Sequence, residues 1–158
     1  MVAGLAGSSF AAFGWNDPLG GAPVVIKELA QSRLGERYVL GAKVPKTDPN
    51  WHGPWDCAEF ASWLVFQALG KLIGVRNGDA YTGFWWADVQ AGRVRKVSVD
   101  EANGRPSTFL LRIPRRGIAG HIALVTGPNE TIEAHSARLG VCKGVIVGRR
   151  WDCGVAVE

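Results

Sequence analysis

Only three of the 158 residues are cysteines, Cys57, Cys142 and Cys153, and no two of them form a C-x-x-C pair. That excludes a disulfide scaffold and leaves no zinc-binding spacing. Charge is scarce too, at 20% of the chain against 47% hydrophobic residues, which excludes intrinsic disorder for the bulk of the chain. No apolar run approaches the ~18 residues of a membrane-spanning helix, so no membrane span is expected. Met1 to Pro23 is rich in Gly and Ala but lacks early Lys or Arg and a long apolar core. Residues 1–22 therefore read as a flexible segment, with no secretory signal evident in this chain. No internal repeat or low-complexity segment is present.

What is there suits one folded domain over residues 23–158, since a chain of this length and composition can bury a substantial core. The 18 basic residues exceed the 14 acidic ones, giving a net charge of +4 that fits an anionic partner. The basic residues are not interleaved with exposed aromatics as in nucleic-acid modules. Their densest cluster, Arg112, Arg115 and Arg116, reads as a solvated loop, so no nucleic acid is expected.

The chain divides into helices first and strands afterwards. Pro23 and the run to Ala30 open a helix that ends near Gly35, and Tyr38 to Gly41 is a short apolar piece. Lys43 to Trp55 is irregular. Cys57 to Leu69 has only Glu59, Ser62 and Gln67 as polar residues, so it predicts a central helix capped by Gly70. A further helix falls within Asp79 to Gln90. From Arg93 onward, short Val, Ile and Leu runs between Gly and Pro predict an antiparallel sheet. The fold class is α+β, with N-terminal helices packed on a C-terminal antiparallel sheet.

Cys57 stands out for its position. Asp56 is a good N-cap, which puts Cys57 in the first helical turn, where unpaired N–H groups and the helix dipole favour a thiolate. Those N–H groups can also hold an oxyanion. A nucleophilic thiol needs a base, and the sequence offers one on a hairpin. G-H-I-A-L-V-T-G and E-T-I-E-A-H pair best with Thr126 opposite Glu130, Leu124 facing Ile132 and Ile122 facing Ala134. The opposite, open face then carries Thr131, Glu133 and two neighbouring histidines, His121 and His135. His121 is the candidate base, with His135 holding its far nitrogen. His52 lies in the loop before Cys57, where nothing rigid positions it.

Trp51 and Trp55, in a polar loop beside the nucleophile, are expected to wall the groove, whereas Trp63 and one of Trp85 and Trp86 are expected in the core. Cys142 and Cys153 could face each other across two strands around Gly148-Arg149-Arg150 and pair in an oxidising compartment, or both could be small buried hydrophobes. A zinc site of Cys142, Cys153 and His135 is weak on spacing.

W-D-C-A-E-F, G-H-I-A-L-V-T-G and E-A-H-S, with R-Y-V-L-G-A upstream, resemble the signature segments of the NlpC/p60 family of cell-wall peptidases, over about Leu34 to Ser136. The resemblance implies a papain-like thiol peptidase with no metal or cofactor. In it Cys57 matches the nucleophile, His121 the base and His135 the third polar residue. Tyr38 matches a tyrosine near the oxyanion, and Asp56 an acidic residue that contacts a stem-peptide amine. The implied partner is the peptidoglycan stem peptide, cut between D-glutamate and the diamino acid through a thioester. The implied place of action is the bacterial cell wall, reached by secretion, in the periplasm or by delivery, with a monomer as the default state. Ala58 and Glu59 depart from the family's Ser and Gly after the nucleophile, and Ile113 to Ala119 inserts an arginine-bearing loop near the base. A papain-like acyltransferase or lipid amidase, recognised by an apolar tunnel to Cys57, and a non-catalytic wall-binding module are the alternatives.

Overall fold

Helix α1 (Gly21–Ser32) already includes Gly21 and Ala22, so it starts two residues before Pro23. The computed structural model describes residues 21–158, and the remainder of the expected N-terminal segment lies outside the described residues. Helix α2 (Cys57–Leu69) has the bounds its sequence implies. Asp56 caps it by accepting the Glu59 N–H at 2.8 Å, and Gly70 closes it at φ 69°, a left-handed conformation that suits glycine. Its apolar circumference buries Phe60, Trp63, Leu64 and Val65 almost completely. The polar residues on it are satisfied: Ser62 donates to the Ile73 carbonyl at 2.7 Å and accepts from the Trp85 indole at 3.0 Å, and Gln67 donates to the Lys46 carbonyl at 2.7 Å.

After a two-stranded ribbon of β1 (Val75–Arg76) and β2 (Asp79–Ala80) comes α3 (Thr82–Gln90). The rest of the chain is β3 (Arg95–Val97), the short α4 (Val99–Ala102), β4 (Thr108–Arg112), β5 (His121–Gly127), β6 (Glu130–Ser136), β7 (Gly140–Gly144) and β8 (Cys153–Ala156). β3 to β8 form one antiparallel sheet in the order β3-β8-β4-β5-β6-β7. The architecture is α+β, with α2 lying on β5 and β6.

The β5–β6 hairpin keeps the expected pairing of Leu124 with Ile132. Nearer the turn it differs. The register shifts between Val125 and Gly127, so Gly127 and not Thr126 faces Glu130, and the turn is the pair Pro128-Asn129. Asn129 takes φ 51° there, and its side chain accepts the N–H groups of Ile146 and Val147. Ile122, Leu124, Ile132 and Ala134 enter the main core with α2. The other face is not open as expected. Val125, Leu110, Ala156, Ala102 and Ile146 form a second, smaller core there, with Trp151 packed against it.

The two cysteines near the C-terminus do not meet. Cys142 is on the edge strand β7, whereas β8 inserts Cys153 between β3 and β4, four strand spacings away. At ~4.8 Å per strand the separation is about 19 Å, too far for a disulfide or a shared metal. All three thiols are free.

Beside α2 lies a buried ion pair that the sequence did not reveal. Lys46 donates to Glu59, and both are almost fully enclosed. Lys46 also donates to the carbonyls of Val44 and Gly78, and Glu59 accepts the Ala80 N–H at 3.0 Å, which ties the β1–β2 ribbon to the start of α2. Removing one partner leaves the other charged and unpaired. Lys46→Met is expected to lower stability by about 3–5 kcal/mol, read as the shift of a chemical denaturation midpoint, whereas Lys43→Met, removing a mostly exposed pair with Asp79, should change it by less than ~1 kcal/mol.

Candidate active site

A cleft of about 420 Å³ opens where the N-terminus of α2 meets the start of β5, and Tyr38, Asp56, Cys57, Arg112, His121 and His135 all line it. The path from Arg37 to Gly41 is held to the nucleophile loop by backbone bonds from Val39 and Trp55, and by the Gly41 N–H donating to Asp56. Of the first N–H groups of α2, those of Glu59 and Phe60 go to Asp56. The N–H groups of Cys57 and Ala58, and that of Ile122 on β5, act on the Cys57 thiol in the direction that favours the thiolate. Ile122 directly follows His121, and Cys57 and His121 line the same cleft. Burial, followed by the Asp56 carboxylate, pushes the Cys57 thiol up to about 12, although the surrounding N–H groups act in the other direction. The helix start therefore does not yield the resting thiolate expected from the sequence, because loss of solvation outweighs it.

His121 is buried against a network of its own. Its Nε2 lies 2.8 Å from Glu133 Oε1. Glu133 also accepts both terminal nitrogens of Arg149, at 2.6 and 2.9 Å, and the Thr131 hydroxyl. These donors hold its carboxyl well below the usual carboxylate range in spite of burial, so it is ionised. An ionised carboxylate only accepts. Nε2 therefore carries the proton and Nδ1 presents its lone pair. Trp151 stacks on the His121 ring at 5.9 Å between centroids, and Arg149 lies over Trp151 at 4.7 Å. Gly144 on β7 makes room for the carboxylate, as a Cβ there would sit 2.6 Å from Glu133 Oε2.

This corrects the assignment of the orienting partner. His135 is near, its ring 5.8 Å from that of His121 and steeply inclined, but its buried Nδ1 bonds to nothing among the described residues. Desolvation lowers its pKa. Glu133, diagonal to His121 across the two strands, reaches the ring nitrogen instead.

No family model matches the chain, and no curated protein does. Solved structures do. The NlpC/p60 domain of the peptidoglycan hydrolase SagA matches at 24% identity and TM-score 0.60, over 85% of this chain and 97% of that domain. The P60 domain of antigen MAP1204 from M. avium subspecies paratuberculosis gives 18% and 0.63, over 86% and 94%. This chain has the NlpC/p60 fold. The peptidoglycan hydrolase RipB from Mycobacterium tuberculosis gives 20% and 0.62, over 98% of this chain and 73% of that one. Four other matched structures are longer, and the chain spans 39 to 45% of them.

Within the NlpC/p60 fold, two expected site residues lie elsewhere. Trp55 is fully buried in the core, edge-on to Phe60 and Trp63, with its indole donating to Glu36 at 2.7 Å. Trp51 packs on that core and donates to the Pro54 carbonyl. Neither lines the cleft, because the rings gain more by covering α2 than by facing solvent. Trp63 and Trp85 are core residues as expected. His52 is exposed and pairs with Glu36. The residues that sequence reasoning missed are Glu133, Arg149 and Trp151. Glu133 carried no signal of burial, because alternation puts it on the face opposite Ile132 and Ala134, which the sequence leaves open.

Proposed function

We propose that this protein is a peptidoglycan hydrolase, a cysteine peptidase that cuts stem-peptide amides at the bacterial cell wall, with Cys57 as nucleophile, His121 as base and Glu133 as the residue that orients it. The observation that carries this reading is the one cleft lined both by Cys57, at the start of α2, and by His121, whose Nε2 is held by Glu133. The likeness to domains of peptidoglycan hydrolases supports the substrate class. His121 Nδ1 takes the thiol proton as sulfur attacks the carbonyl, and the free N–H groups of Cys57 and Ala58 stabilise the oxyanion, with the Tyr38 hydroxyl beside them. Collapse of the tetrahedral adduct expels the amine with the proton from His121 and leaves a thioester. Water, deprotonated by His121, then releases the acid and restores the thiol. No cofactor enters these steps. The bond assigned is that between D-glutamate and the diamino acid, and Asp56 and His135 are substrate contacts. Charged walls at Asp56, Arg112 and Arg115 disfavour a fatty-acyl tunnel. The test is amine release from purified sacculi before and after alkylation of the protein; the reading fails if wild-type protein releases none, or if alkylation leaves the rate unchanged.

One consequence concerns pH. With the thiol pushed up to about 12, only about 10⁻⁵ of it would be thiolate at neutral pH without a base. In His121→Ala, the rate of Cys57 alkylation by iodoacetamide should rise about ten-fold per pH unit from 7 to 10, because deprotonation then depends on solvent alone. A plateau below pH 9 in that variant would contradict the raised pKa of the thiol.

A further inference from the structure

Opposite the nucleophile, the cleft wall is built by the loop that joins β4 to β5, and this loop is tightly anchored. Asp152 accepts the Ile113 N–H at 2.8 Å and both terminal nitrogens of Arg115, at 2.9 and 3.0 Å. Arg115 and Ile118 close a turn through two backbone bonds of 2.9 and 2.8 Å. At its far end Gly120 lies against Thr82 at the start of α3, so close that a Cβ would come within 2.1 Å of the Thr82 hydroxyl. The segment therefore holds Arg112 and Arg115 in fixed places, unlike the solvated loop its composition suggests.

The two arginines of this wall differ. The charge of Arg115 is answered by Asp152. Arg112 pairs with His121 across the strands and lines the same cleft. Its Nε is fixed on the Ala119 carbonyl at 3.1 Å, while its two terminal nitrogens have no carboxylate partner among the described residues. A guanidinium anchored at Nε and free at both Nη atoms is a two-pronged donor already paid for in side-chain entropy, and its geometry matches a carboxylate. A lysine-like point charge would not need that anchoring.

We propose that Arg112 forms a carboxylate subsite beside the reacting bond, so that the protein selects peptides with a free carboxylate on a residue flanking the amide it cuts. The proposal rests on the peptidase reading for the place of the bond, and it goes further in naming what the substrate must carry. A stem peptide offers that carboxylate from two sources: the α-carboxyl of a γ-linked D-glutamate, and the second carboxyl of a dicarboxylic diamino acid.

Binding to the Cys57→Ala protein separates this proposal from catalysis. Three synthetic peptides serve as probes: L-Ala-γ-D-Glu-meso-diaminopimelate, the same peptide amidated at the glutamate α-carboxyl, and the same peptide with L-lysine as the diamino acid. Calorimetric titration should show the parent binding at least about ten-fold more tightly than one of the other two, and that one identifies the source. In Cys57→Ala/Arg112→Gln the ratio should fall to near one, and in Cys57→Ala/Arg112→Lys it should recover in part. Cys57→Ala/Arg116→Gln, at an exposed position of the same loop outside the cleft lining, should keep the full ratio. The proposal is overturned if the three peptides bind alike, if none binds, or if the preference survives Arg112→Gln in a protein whose melting temperature is unchanged. Amine release by wild-type protein from the same peptides is scored separately, and its absence beside an Arg112-dependent preference would remove the peptidase reading and leave the subsite.

Discussion

Cys57→Ala is expected to melt within a few degrees of wild type and to lose at least about 10⁴-fold in amine release from peptidoglycan, because no other thiol is among the residues that line the cleft. The fold should tolerate it. Asp56, and not Cys57, caps α2, and the buried length of that helix begins at Ala58. Cys57 is only partly buried, so removing its sulfur opens little cavity. Cys142 and Cys153 lie outside the cleft lining, so their alanine variants should leave the rate within about two-fold. A matched loss in Cys142→Ala would point to a different thiol.

Glu133→Gln is expected to lower kcat/KM about 100-fold, or ~2.7 kcal/mol of transition-state stabilisation. The substitution keeps the shape but removes the charge that fixes the His121 tautomer and stabilises the imidazolium formed as the thiol gives up its proton. It also leaves Arg149 facing a neutral amide, so a stability loss accompanies it. The two effects are separable by pH. The Glu133 carboxyl is held below its ordinary value, so its contribution to stability is complete above about pH 4.5 and is lost as the pH falls through the acid range. The gap in melting temperature between wild type and Glu133→Gln should therefore narrow on acidification, whereas the activity gap at neutral pH persists. His135→Ala should cost less than Glu133→Gln, since no bond joins its Nδ1 to the catalytic ring.

The legible parts of this chain were local. Asp56, the apolar run and Gly70 define α2 by capping and periodicity within fifteen residues, and the hairpin register follows from which side chains of β5 and β6 can share a face. From those two elements alone, Cys57 and His121 emerge as candidates. The illegible parts depended on distant segments. β8 returns from the end of the chain to insert between β3 and β4, so the Gly148-Arg149-Arg150 turn does not join neighbouring strands, and Cys142 and Cys153 part company. The same return brings Arg149 and Trp151 over His121, which closes a face that alternation alone would leave open. Glu133 acquires its role only with Arg149 in place. Trp51 and Trp55 were misplaced because a polar loop composition says nothing about which way an indole turns, and an apolar helix next to them decides that by burial. The Arg112 loop looked solvated because its anchors, Asp152 and Thr82, are far away in sequence.

The most direct test of the central claim is mass spectrometry of muropeptides from purified peptidoglycan digested by wild-type protein, with and without hydroxylamine. Attack by the Cys57 thiolate, assisted by His121, predicts fragments ending in D-glutamate and new amines on the diamino acid, with the matching glutamyl hydroxamate when hydroxylamine intercepts the thioester. An intact peptide pool, cleavage without any hydroxamate, or the same fragments from Cys57→Ala would contradict it.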